Sequence, residues 1–155
     1  MPKTSAGLLP YRWRDGRPEV FLVHSGGPFW TKKDDAAWSV AKGEVEREES
    51  LLDAAHREFT EETGLTLTGP FLPLNPVRQS GGKAVHVWAV EADLEPSAIR
   101  SNAFPLEWPP RSGQIVQFPE IDRAAWFGLA EARRKIHKGQ LGLLEELGAA
   151  LGGRG

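Results

Sequence analysis

Hydrophobic and polar positions along the chain predict strands on either side of one short helix, followed by a helical C-terminal end. Thr4 to Tyr11 (TSAGLLPY) is apolar enough for a strand, Arg14 to Pro18 is a turn, and Glu19 to His24 (EVFLVH) is a second strand, so a hairpin opens the chain. Ser25 to Ala37 is a Gly/Pro-punctuated loop, and Trp38 to Val40 is a short strand. Leu67 to Val77 carries Pro70, Pro73 and Pro76 and reads as an irregular strand. Arg78 to Lys83 is a turn, and Ala84 to Glu91 (AVHVWAVE) alternates as a central strand should. Pro96 to Phe118 reads as a long loop, either a wall over a ligand or a surface insertion. Ala124 to Phe127 is a last strand. Leu129 to Lys138 and Leu141 to Leu151 form one or two helices around Gly139; Leu141, Leu144, Leu147 and Leu151 make the buried face, and 152–155 fray.

Between these strands lies GEVEREESLLDAAHREFTEETGL, Gly43 to Leu65. Ser50 followed by Asp53 is a helix-opening pair, and Thr63-Gly64 stops the helix. At about 100° per residue, Leu51, Leu52, Ala55 and Phe59 share one buried arc. Glu58, Glu61 and Glu62 are neighbours at the edge of that arc rather than opposite it. Carboxylates crowded beside a core repel one another and are partly desolvated, which is costly unless a cation neutralises them. Hard oxygen donors on one helical face suit Mg2+ or Mn2+, which keep room for substrate phosphates.

Composition narrows the chemistry. The chain has 155 residues, 40% hydrophobic and 26% charged, as expected for one globular domain spanning 1–155. It has no cysteine, so thiol nucleophiles and thiolate metal sites are excluded. No stretch approaches a membrane span and the first residues lack the apolar region of a signal peptide, so a cytoplasmic protein is expected. A net charge of -2 gives no general attraction to nucleic acid.

Gly43, Glu49, Arg57-Glu58-Phe59, Glu61-Glu62 and Gly64-Leu65, at their spacings, resemble a complete Nudix box. Trp38 to Glu44 (WSVAKGE) is similar to the segment before the box in several branches, with Ala41 where those often place proline. The resemblance implies an α/β fold, an α/β/α sandwich with a mixed β-sheet, and metal-dependent hydrolysis of a diphosphate bond. It implies Glu58, Glu61, Glu62 and the Lys42 carbonyl as metal ligands, and Arg57 as the partner that orients Glu49. A further acid from a later loop is expected, with Glu120 first and Glu107 second. Glu61 or Glu120 would be the general base.

Lys32, Lys33, Lys42, Arg78 and Lys83 are candidates for outer phosphates, and Trp30 for stacking a ring. His86 is open between ligand and structural roles. The expected partner is a small nucleotide or polyphosphate, most of all an NTP or dinucleoside polyphosphate, bound by a monomer or homodimer. Two other readings stand beside it: a catalytically silent nucleotide-binding regulator, and an RNA 5' pyrophosphohydrolase that would need a basic groove.

Overall fold

The computed structural model describes residues 4–79 and 82–152. Ser80 and Gly81 of the expected turn, and Gly153 to Gly155 of the expected frayed end, lie outside the described residues.

In chain order the elements are β1 (Thr4–Arg14), β2 (Arg17–Ser25), β3 (Trp38–Ser39), β4 (Ala41–Glu44), α1 (Leu51–Thr63), β5 (Phe71–Pro73), β6 (Val77–Arg78), β7 (Ala84–Glu91), β8 (Ala103–Glu107), β9 (Ile115–Pro119), β10 (Ile121–Gly128), α2 (Leu129–Lys135) and α3 (Leu141–Gly152). The main sheet runs β10-β2-β1-β7-β5, with β3 on β2, β4 on β1 and β6 on β7. It is mixed, because β1 and β7 are parallel while the other pairs are antiparallel.

Each face of the sheet buries its own core. Ala6, Leu8, Phe21 and Val23 pack with Ala54, Ala55 and Phe59 of α1. Leu9, Val20, Leu22, Val85 and Val87 pack on the opposite face with Ala132, Ile136, Leu143, Leu144 and Leu147 of the C-terminal segment. Alternate strand residues thus serve opposite helices, which makes the architecture an α/β/α sandwich.

The opening hairpin turns at Asp15 and Gly16, both in the left-handed region (φ 53° and 76°) that a two-residue turn between twisted strands requires. β1 and β2 pair only at this end, Tyr11 to Arg14 against Arg17 to Val20. Further along they part, and β4 pairs with Ser5 to Leu8 of β1 while β3 pairs with Val23 and His24 of β2. The opening between them is where the candidate site lies.

Several sequence expectations change. The segment 96–118 is not a loop throughout: β8 and β9 form a two-stranded hairpin in which Phe104 faces Phe118 and Leu106 faces Val116. Its prolines sit at strand positions or in the connecting turn, where no ladder N–H is demanded of them. β4 is a separate strand, short enough that its Lys-Gly-Glu content hides it. The hairpin and last strands also run longer than apolar runs alone suggest, because their ends remain paired while exposed.

Candidate active site

Two caps fix α1 at the register its sequence predicts. Ser50 sits in extended backbone and its hydroxyl accepts from the Asp53 N–H at 3.1 Å. Gly64 closes the helix at φ 75°, and its N–H donates to the Thr60 carbonyl at 2.8 Å. The buried line is Ala54, Ala55, Phe59 and Thr63, whereas Leu51 and Leu52 are half-buried. This rotates the helix relative to the expected arc. Two alanines allow close approach to β1, and the Thr63 hydroxyl is satisfied by donating to the Phe59 carbonyl at 2.7 Å.

The rotation separates the three helical glutamates. Glu58 and Glu62 turn inward, and Glu61 turns outward, with 46% of its side chain exposed. The inward crowd is therefore completed not by Glu61 but by Glu120, delivered from the bend between β9 and β10. Glu62 accepts from the Lys42 backbone N–H on the free edge of β4. Burial, then the nearby Glu58 and Glu120, push the Glu62 carboxyl up to about 8. Burial also raises Glu58, against the pull of Arg57. A cavity of about 120 Å³ opens here, with Ser25, Ser39, Lys42, Glu62 and Glu120 in its wall.

Arg57 holds the outer shell. Its Nε and Nη2 donate to the two oxygens of Glu49 at 2.7 and 3.0 Å, Nη2 also reaches the Glu44 carbonyl at 3.0 Å, and Nη1 donates to Glu58 at 3.0 Å. Glu61 accepts from the same Nη1 at 3.2 Å. The forked bond holds the Glu49 carboxyl below its ordinary value. Gly43 lies against this group. A Cβ there would collide with the Glu58 carboxylate, so only glycine lets β4 pass so close.

A NUDIX domain model matches residues 1–147. The chain belongs to this family. Among proteins of assigned activity, it is 43% identical over 53 residues to an RNA pyrophosphohydrolase of Thioalkalivibrio sulfidiphilus, a match that covers 32% of this chain and 31% of that protein. The fold is similar to that of a C. elegans Ap4A hydrolase (TM-score 0.65, 23% identity, covering 97% of this chain and 98% of that one). It is also similar to the NUDIX domain of Shewanella oneidensis NrtR solved with ADP ribose (TM-score 0.67, 17% identity, 97% and 89% covered).

Within this Nudix domain the donor chemistry fits a hard divalent cation. Burial, with Glu58 and Glu120 nearby, opposes the ionisation of Glu62 more than Lys42 favours it, and a cation would relieve that. Among the described residues, no three His, Cys, Asp or Glu side chains are already closed on a common cation position, because Arg57 draws Glu58 and Glu61 to itself.

The other expected residues divide. Lys42 and Lys83 come close enough to repel; burial and that repulsion lower Lys42, while Glu62 and Glu58 favour its charge. Lys33 lies over the Trp30 ring at 5.0 Å, and Trp30 packs on the core of the C-terminal face, with Lys32 exposed on the same loop. Arg78 spends one Nη1 donor on the Gly82 carbonyl at 3.0 Å. Glu107 accepts from Gly113 at the tip of the β8–β9 hairpin, away from the cluster. His86 is half-buried opposite Ala6.

Sequence reading missed Ser25 and Ser39 in the cavity wall. It also missed Gln140, wholly buried, whose amide donates to Ser39 at 3.0 Å and accepts from the Val40 N–H at 3.1 Å. No local pattern marks a residue that acts from a hundred positions away. Larger hollows exist, one of about 570 Å³ beside Arg12 and Trp126, but Arg12 is already paired there with Glu19 and Asp93 at 2.9 and 2.8 Å.

Proposed function

We propose that this chain is a divalent-metal-dependent Nudix diphosphohydrolase acting on a nucleoside diphosphate linked to another moiety, most directly an NTP or a dinucleoside polyphosphate. The observation that carries the reading is the meeting of Glu62, from α1, and Glu120, from the β9–β10 bend, in one cavity beside Lys42, with Glu58 near enough to oppose the ionisation of Glu62. Uncompensated carboxylates beside an ammonium make a site for a cation and a phosphate together, not for an apolar ligand.

Glu58, Glu62 and Glu120 would hold Mg2+ or Mn2+, with Glu61 and the Lys42 carbonyl as further donors. When bound, the cation screens the diphosphate and stabilises the developing negative charge. The remaining roles belong to the chain. Lys42 and Lys83 meet phosphate oxygens, Arg57 fixes the orientation of Glu58 through its grip on Glu49, and a carboxylate of the set, Glu61 or Glu120, takes a proton from the attacking water. The chain works as a single domain in the cytoplasm.

An RNA 5' end is the second reading, favoured by the stretch similar to an RNA pyrophosphohydrolase. A panel of dNTPs, diadenosine polyphosphates, ADP-ribose and 5'-triphosphorylated RNA, each with and without Mg2+, separates them. Mg2+-dependent release from the nucleotides supports the first reading. Cleavage confined to RNA, with binding that weakens steeply with salt, supports the second. Tight nucleotide binding with no cleavage would make the chain a regulator.

A further inference from the structure

Ser25 and Ser39 both line the cavity, and the chain between them leaves as the 26–37 loop and returns as β3. The loop carries Trp30, Lys32 and Lys33, and both of its ends run into the cavity wall. Its first residue is fixed locally, the Gly26 N–H donating to the Glu120 carbonyl at 2.8 Å. Its far part is tied at 34–36 to α2, the Ala36 N–H donating to the Arg134 carbonyl at 3.0 Å, and at Lys33 to one buried side chain of the sheet.

His24, on β2, has no exposed surface. Its Nδ1 lies 2.8 Å from Asp122 Oδ1 on β10, and its Nε2 lies 2.6 Å from the backbone carbonyl of Lys33. A carbonyl can only accept, so Nε2 donates to Lys33 while Nδ1 holds Asp122, and one ring bridges the loop to β10. The ring also meets Trp38 edge to face at 5.0 Å, and the Trp38 Nε1–H donates to Asp34 at 2.9 Å. Asp34 in turn is paired with Lys135 of α2. Two consecutive loop residues, Lys33 and Asp34, are thereby tied to the sheet and to the C-terminal helices.

We infer that His24 is a positioning residue for this site: bridging Asp122 and the Lys33 carbonyl through its two ring nitrogens, it holds the 26–37 loop so that Lys32 and Lys33 meet the part of the substrate beyond the scissile diphosphate. This rests on the diphosphohydrolase reading for its kinetic consequence but not for its structural one. A buried polar ring must have both nitrogens satisfied, and here that requirement joins the loop backbone to two strands whose ends both enter the cavity wall.

The test compares His24→Asn with His24→Gln. The Asn amide reaches about as far as Nδ1 and keeps the Asp122 bond alone, whereas the Gln amide reaches about as far as Nε2 and restores the donor to Lys33. Hydrogen exchange should rise in His24→Asn within residues 27–37 and stay near wild type in His24→Gln. For a cleaved substrate, KM should rise about tenfold in His24→Asn with kcat within about threefold, and recover in His24→Gln. Unchanged loop exchange in His24→Asn, or faster exchange spread over the whole chain, would overturn the inference. So would equal defects in the two variants. Should neither variant fold, long-range 1H–15N spectra of the wild-type ring decide: a proton on Nε2 is expected, and a bare Nε2 overturns it. If no substrate of the panel is cleaved, the functional reading fails while the exchange experiment still judges the role of His24.

Discussion

Arg57 grips Glu49 through two bonds, at 2.7 and 3.0 Å, and its remaining nitrogen serves Glu61 and also Glu58, one residue away in sequence and on the inward side of the helix. The guanidinium thus links a loop carboxylate to one that lies beside Glu62 of the cavity wall. Arg57→Lys supplies the charge without the fork. Turnover is expected to fall on the order of 10- to 100-fold, with Mg2+ affinity falling in step. Calorimetric Mg2+ binding by Arg57→Lys checks this, and wild-type affinity would place the fork outside the site's organisation.

Phe59 is 1% exposed between α1 and the sheet. Phe59→Ala should cost about 3 to 5 kcal/mol of stability, read from urea unfolding midpoints at unchanged m-value. A cost below about 1 kcal/mol would mean that the helix face is placed wrongly.

Gly43→Ala should damage activity more than folding, because the added methyl meets the Glu58 carboxylate rather than backbone. A lowered kcat with a melting temperature within a few degrees of wild type is the expected pair of results. Wild-type kcat would show that Glu58 moves aside freely.

The Glu62 carboxyl keeps its proton to about 8 in the fold, whereas in the unfolded chain it ionises near its ordinary 4.5. Between those values the folded state binds more protons, so stability without divalent metal falls as pH rises, by at most about 1.4 kcal/mol per pH unit. Glu62→Gln should flatten that slope, and saturating Mg2+ should flatten it as well, because the cation favours the ionised form that the unfolded chain already holds. Melting temperatures from pH 5 to 8, with and without Mg2+, give the answer; a slope equal in wild type and Glu62→Gln contradicts the assignment.

How far sequence carries can be judged on particular residues. The Arg57–Glu49 fork and Glu120, the first of two candidates, came only through the resemblance to the Nudix box, whereas the helix caps at Ser50 and Gly64 were legible because caps are short-range and chemically specific. The rotation of α1 was not: Leu51 and Leu52 are larger than Ala54 and Ala55, yet close approach to β1 favours the alanines, a decision made by packing. The β8–β9 hairpin hid behind its prolines. Ser39, Gln140 and the His24–Asp122 pair were invisible because their meaning depends on partners brought together only by the fold.

The most direct test of the central claim removes the charge at the cluster without changing its shape. Nucleotide release from the best substrate should be compared at saturating Mg2+ for wild type, Glu62→Gln and Glu120→Gln, with Glu61→Gln alongside. Losses of about 100-fold or more in Glu62→Gln and Glu120→Gln, at native melting temperatures, are predicted for groups that hold the cation at the diphosphate. Near wild-type turnover in both would contradict the account, because a site that works without these two carboxylates is not built from them.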